Sequence, residues 1–247
     1  MKKSKEQYEQ LLSYAKEYCE SRYDKIVELY ESYGDRFLTA PASSIDYYHN
    51  AFPGGYVDHV LRVVEFSLKL YDFYEDNGIS VKGFTKENLV FVALHHDLGK
   101  LGFPGNGRER YIPNDSQWHI KNQGKVYKPN DKIPFVLVQH LSLYILQKYG
   151  IELNLEEYLG ILIHDGVYDD INKPYFISNQ ESTAVRSNLP YIIHSADLMA
   201  SKHEFRTWQE HKYPKPVQNV EQGSSDTEKS GGTDNSIEDF FKKAFTN

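Results

Sequence analysis

Apolar residues recur along this chain with helical rather than strand spacing. Between residues 5 and 33, Tyr8, Leu11, Leu12, Ala15, Cys19, Ile26 and Tyr30 fall on one stripe, which predicts an amphipathic helix. Pro53-Gly54-Gly55 then marks a turn. Val57, Val60, Leu61, Val64, Leu68 and Tyr71 repeat at helical spacing until Asn77-Gly78 stops the helix. Thr85 is placed to cap a helix running to about Leu98, closed by Gly99 in the left-handed conformation that glycine accepts. Residues 101–133 are punctuated by Gly102, Pro104, Gly105, Gly107, Pro113, Gly124 and Pro129, so a long loop is predicted there. It carries a small hairpin turning at Asn122-Gln123-Gly124, between Trp118–Ile120 and Val126–Tyr127. Loops of that length inside a domain are usually functional or disordered, and Tyr111, Trp118 and Tyr127 argue for order. Pro134 to Tyr149 is the next helix, closed by Gly150. Asn154 and Glu157 form a capping-box-like pair for a helix ending near His164. Asn188 and Pro190 open a last helix that carries Ile192, Ile193, Ala196, Leu198 and Met199 and reaches toward Trp208. The expected fold class is all-α, with a long loop or small hairpin as its insertion.

The pattern changes at Pro214. Gly223-Ser224-Ser225 and Ser230-Gly231-Gly232-Thr233 read as a flexible linker. Ile237, Phe240, Phe241, Ala244 and Phe245 then restore an amphipathic pattern. The expected organisation is an N-terminal helix over residues 1–40 packed on a core of residues 41–213, followed by a linker and tail over 214–247. The tail around Ile237, Phe240 and Phe241 either docks into a groove on a protein partner or packs back on its own domain.

Charge and composition narrow the function classes. With 28 basic and 35 acidic residues the formal charge is −7, which argues against sequence-independent binding of duplex nucleic acid. One cysteine, Cys19, excludes an intramolecular disulfide and a cysteine-based zinc finger, and its place on the apolar stripe suits a small core residue. No run of about 18 apolar residues suggests a membrane span, and the charged start lacks a signal-peptide core. A cytoplasmic protein is the expectation.

The informative chemistry centres on His95-His96-Asp97-Leu98-Gly99-Lys100. Imidazole suits zinc, iron, manganese or nickel, whereas carboxylate suits harder ions and can bridge two of them. His59 lies on the preceding predicted helix, and His140, His164 and Asp197 each lie on a later one, embedded in apolar runs. Buried polar groups need partners, and a single buried histidine is usually a hydrogen-bonded core residue. Four such residues together with the His-Asp pair, spread over five helices, point instead to a metal site.

This order resembles the HD superfamily of metal-dependent phosphohydrolases, with His59, His96-Asp97 and Asp197 matching its core pattern. His140 and His164 resemble the additions of its two-metal subgroup, which includes HD-GYP cyclic-dinucleotide phosphodiesterases and HD-type exoribonucleases. The stretch from Tyr48 to His59 is similar to the lead-in of the exoribonuclease branch, and the resemblance spans residues 45–205. The chain lacks the Gly-Tyr-Pro signature of the HD-GYP branch, and it shows no oligonucleotide-binding β-barrel.

The resemblance implies an HD helical bundle. It implies a first divalent ion on His59, His96, Asp97 and Asp197, with Asp97 bridging to a second on His140 and His164, the ions being manganese, iron or magnesium. A metal-activated water would hydrolyse a phosphate ester or anhydride in a nucleotide or short oligonucleotide, with Asp97 and Lys100 as the catalytic residues. A di-iron oxygenase and a non-catalytic, metal-stabilised binding protein are the alternatives. Lys100 would meet a substrate phosphate, or simply sit near a helix C-terminus, where positive charge is favoured. His119 and His49 are further candidates for substrate contact, with plain surface roles as the alternative. Arg108, Arg110 and Lys121 make the long loop locally basic. Asp58 and Asp165 flank ligands and are expected to be exposed unless they act behind them. His95, His194, His203 and His211 are expected to be structural or surface residues.

Overall fold

The computed structural model describes residues 2–178, 180, 182 and 184–213. The chain divides into two units, Met1–Pro214 and Lys215–Asn247. The described residues belong to the first, and the expected linker and the tail around Ile237, Phe240 and Phe241 lie outside them.

The described residues are mostly helical. Helix α1 (Lys2–Tyr18) is followed by a 3-10 turn at Glu20–Arg22 and by α2 (Tyr23–Glu31) and α3 (Arg36–Thr39). The long α4 (Gly55–Asp76) and α5 (Lys86–His95) come next, then a 3-10 turn at Leu98–Leu101. Strands β1 (Tyr111–Pro113) and β2 (Tyr127–Pro129) enclose α6 (Gln117–Gln123). Helices α7 (Val138–Lys148), α8 (Leu155–Leu162), α9 (Lys173–Ile177) and α10 (Leu189–Lys212) complete the unit. Helix α4 packs on α10, α5 and α1, while α8 bridges α5 and α10 and α7 closes over the Leu98–Leu101 turn. Leu11, Ala15 and Cys19 of the N-terminal segment share one apolar core with Val57, Val60, Leu94, Leu141, Ile161 and Ile193. No helix among the described residues is long and apolar enough to cross a membrane.

Several local expectations shift. The stripe over residues 5–33 is not one helix, because the chain breaks at Cys19 (φ −117°, ψ 39°). Cys19 and Ile26 stand seven residues apart and are both fully buried, so the apolar period runs in phase across the break and conceals it. The break directs the Arg22 guanidinium onto Glu157 (2.8 and 3.0 Å), onto Glu87 (3.0 Å) and over the Phe91 ring (3.8 Å).

Thr85 and Asn88 form a reciprocal capping box at the start of α5, as Asn154 and Glu157 do at α8. Helix α5 nevertheless ends at His95, and Gly99 is not left-handed; the positive φ falls on Gly102 (78°). Glycine is required at 99 because a Cβ there would lie 2.2 Å from the Val138 carbonyl oxygen and 3.1 Å from Leu141 Cβ. The expected tight hairpin is not formed; a two-stranded ladder with a helix between its strands stands in its place. Its strands pair antiparallel with Ile112 opposite Lys128. Trp118–Ile120 is helical instead, since Ser116 caps the His119 amide and Gly124 (φ 62°) closes the helix. Helix α7 starts at Val138 rather than Pro134, because Leu137 is extended (ψ 147°) and Arg110 holds the Val136 carbonyl at 2.7 Å.

Candidate metal centre

Three imidazoles meet at the centre of the bundle, and the backbone fixes how each one presents itself. His96 caps α5 and its Nδ1–H donates to the Ala93 carbonyl (2.8 Å). His164 follows α8 by two residues, and its Nδ1–H donates to the Ile161 carbonyl (2.8 Å). A carbonyl only accepts, so both rings carry the proton on Nδ1 and leave an Nε2 lone pair free. His59, in the first turns of α4, uses Nδ1 toward the Glu204 carboxylate at 3.1 and 3.2 Å. Buried metal-binding histidines are usually oriented by such an acceptor on the far ring nitrogen.

The three Nε2 atoms surround Asp97. Its Oδ2 lies 3.5 Å from Nε2 of both His59 and His96, and its Oδ1 lies 3.5 Å from His164 Nε2. Asp197 of α10 brings Oδ1 within 3.1 Å of His59 Nε2. Yet His59 Nε2, His96 Nε2 and Asp97 Oδ2 are buried and form no aligned hydrogen bond. Three combinations place their ligand atoms within 4.8 Å of one another: His59, His96 and Asp197; His96, Asp97 and His164; His164, Asp165 and Asp197. The spacing and the donor set, imidazole nitrogens with carboxylate oxygens, fit a divalent cation.

The electrostatics agree with a cation-shaped site. Burial would raise the Asp97 carboxyl, but the Lys100 ammonium and the nearby imidazoles hold it well below the usual carboxylate range. Burial likewise opposes charge on His164, yet Asp165 and Asp97 push its pKa up to about 9. Glu204, Asp197 and Asp97 outweigh burial at His59 and raise it well above the usual value. The carboxylates around these rings thus favour positive charge there, which either a proton or a bound cation can supply.

Lys100 closes one side. Its ammonium sits 2.5 Å from Asp97 Oδ2 and 3.1 Å from His49 Nε2, to which it donates. Burial and the neighbouring Lys100 keep His49 neutral, and its ring lies 5.0 Å from that of His59. His49 is brought there by a tight loop. Gly54 adopts φ 81°, and a Cβ on Gly55 would collide with the Asn50 carbonyl oxygen at 2.0 Å.

Of the expected site residues, His59, His96, Asp97, His164, Asp197, Lys100 and His49 come together. His140 does not join them. It is the third residue of α7, exposed, and part of none of the three ligand combinations. The later start of α7 leaves it on the solvent side of that helix. His119 is also apart, exposed on α6 beside Trp118. Arg110 is spent on the Val136 carbonyl and Arg108 lies over the Phe103 ring. Asp58 is not a simple surface residue: Gln7 (2.7 Å), Asn50 (2.9 Å) and Arg62 (3.1 Å) all donate to it. His95 is structural, donating to the Phe91 carbonyl and facing the Tyr30 hydroxyl.

Glu204 is a site residue the sequence reading missed. It is buried, orients His59 and receives Arg62 at 2.5 Å. Its signal was available, because it stands seven residues after Asp197 and so shares that face of the last helix.

No family model, curated protein or solved structure matches the chain.

Proposed function

We propose that this chain is a metal-dependent phosphohydrolase of the HD type, acting on a phosphate ester or anhydride in a small anion of nucleotide size. One observation carries the reading: imidazole Nε2 lone pairs and two carboxylates converge in the middle of the bundle, and Nε2 of His59 and of His96 lacks any hydrogen-bond partner. Each buried, unsatisfied polar atom costs about 1–3 kcal/mol, and a cation at that point removes the cost. The His…His-Asp…Asp order at His59, His96-Asp97 and Asp197 supports the same reading.

His59, His96, Asp97, His164 and Asp197 would hold the metal, which when bound supplies Lewis acidity and a water acidic enough to act as nucleophile near neutral pH. The remaining steps belong to the chain. Lys100 lines a cleft of 430 Å³ together with Arg36, Arg110, Tyr111 and Tyr127, a size that suits a small ligand. The Lys100 ammonium binds an oxygen of the phosphoryl group and opposes the charge that grows there in the transition state. His49, held neutral, accepts from Lys100 and fixes the ammonium at the mouth. The two tyrosines offer flat apolar faces to the rest of the substrate. The cleft carries three basic side chains and one carboxylate (Glu109) in a chain of formal charge −7, and of the three Lys100 is the one beside the proposed metal ligand Asp97.

Phosphate release from nucleoside mono-, di- and triphosphates and from short oligonucleotides, measured with manganese and with chelator, tests the reading. Manganese-dependent release that disappears in Asp97→Asn is the expected result. A folded, manganese-loaded protein that releases phosphate from none of them overturns it.

A further inference from the structure

We infer that a second cation site adjoins the first and is completed by Asp165, with His140 taking no part. The inference rests on the metal-centre reading above and adds to it a ligand that the HD resemblance does not supply.

A neutral imidazole with its proton on Nδ1 has one lone pair, on Nε2, and therefore serves one ion. Of the three ligand combinations, the first (His59, His96, Asp197) and the third (His164, Asp165, Asp197) share no histidine. Their common member is a carboxylate, which has two oxygens and can serve two ions. Asp97 divides in the same way: Oδ2 faces His59 and His96, whereas Oδ1 faces His164, each at 3.5 Å. The second combination (His96, Asp97, His164) joins one histidine from each side through Asp97, the carboxylate between them, so the ligands sort into two adjoining sets. One is His59, His96, Asp97 Oδ2 and Asp197; the other is His164, Asp165, Asp97 Oδ1 and Asp197.

The backbone around Asp165 is built to hold it in place. Asp165 Oδ1 lies 3.6 Å from His164 Nε2. The next residue, Gly166, adopts φ 57°, and a Cβ there would sit 2.3 Å from His194 Cε1. The His194 ring fills that space and donates Nδ1–H to the His164 carbonyl (2.9 Å). His194 and Gly166, which the first site does not use, therefore pin the turn carrying His164 and Asp165. The second set has one imidazole and three carboxylates, a harder donor group than the first, and the Asp165 side chain is 46% exposed. Such a site favours manganese or magnesium over zinc and keeps water on the ion.

The test is a manganese titration of the full chain, read by calorimetry and by metal analysis after desalting, with electron paramagnetic resonance for coupling between paired Mn(II) ions. The expected result is two equivalents with a coupled spectrum in the wild type and in His140→Ala. Asp165→Asn is expected to keep one equivalent, lose the second and show an uncoupled spectrum. With the Asp165 side chain half exposed the fold is expected to be kept, and a melting curve checks it. Two equivalents in Asp165→Asn, loss of one in His140→Ala, or one equivalent in the wild type would each overturn this inference and leave the metal centre standing. No manganese bound by the wild type would overturn the metal centre itself, and the inference with it.

Discussion

Replacing Glu204 by glutamine tests whether the centre is organised from behind. Glu204 is buried in α10, and both its oxygens face His59 Nδ1 at 3.1 and 3.2 Å while Oε1 also receives Arg62 at 2.5 Å. The carboxylate fixes the His59 tautomer and increases the basicity of Nε2. Glutamine keeps one oxygen acceptor, but it removes the charge and turns an NH2 group toward either Arg62 or the ring. Outer partners of this kind change metal affinity by about 10–100-fold, equivalent to about 1.4–2.7 kcal/mol. Manganese affinity of Glu204→Gln is therefore expected to fall within that range at the tighter site. Arg62 keeps Asp58 at 3.1 Å, so the fold should survive, and thermal unfolding verifies this. Glu204→Ala is a harsher change that removes the His59 acceptor and one of the two carboxylate partners of Arg62, and it should cost about 1–3 kcal/mol of stability. Wild-type manganese affinity in a folded Glu204→Gln protein would refute the argument, because it would mean that His59 needs no orientation or is not a ligand.

Three further outcomes follow from the packing. Gly99→Ala places a Cβ 2.2 Å from the Val138 carbonyl oxygen, which should cost about 2–3 kcal/mol and lower Tm by roughly 4–12 °C; an unchanged melting curve contradicts the close approach. Arg22→Ala strips the buried Glu157 of its two-pronged partner, and denaturant unfolding should register a loss of about 3 kcal/mol; a loss below about 1 kcal/mol would place that pair among weak surface bridges. Burial pushes the Cys19 thiol up to about 12, so the thiolate is scarce near neutral pH; iodoacetamide at pH 8 should label it only at the rate of global unfolding, and fast labelling of native protein would show that the α1–α2 break opens locally.

The sequence exposed the helices whose signals are local and hid the geometry that depends on contact. Capping residues such as Thr85 and Asn154 act within four residues of themselves, so their helices start where the text of the chain says. Gly99 fits either of two uses of glycine, a left-handed cap or a close approach, and only the position of α7 tells them apart. Ser116 was a stronger signal than the turn-like Asn122-Gln123-Gly124, and giving it weight would have placed α6 correctly. Embedding in apolar helical runs matches the burial of His59, His96 and His164. It failed for His140, where Val136-Leu137-Val138 looks like the interior of a helix but two of those residues lie before its start. His140 instead falls on the outward side of α7, between the buried Gln139 and Leu141, and sequence neighbours do not reveal which side of a helix faces the core.

The positions of the ligands relative to helix ends account for how this centre is held. A helix leaves its last carbonyls without amide partners. His96 and His164 each stand just past such an end and return Nδ1–H to the carbonyl three residues back. One bond therefore satisfies a bare carbonyl, sets the tautomer and points Nε2 into the bundle. The turn after His96 is secured separately by Ser142 of α7, whose hydroxyl accepts from the Gly99 amide at 2.8 Å and lies 3.1 Å from the His96 carbonyl. Asp97 and Lys100 are thus positioned by a buried serine that touches neither. Because these side chains are fixed by the same bonds that finish the helices, little side-chain freedom would remain to be lost on the proposed binding of an ion. This is the condition under which a few converging donors bind tightly.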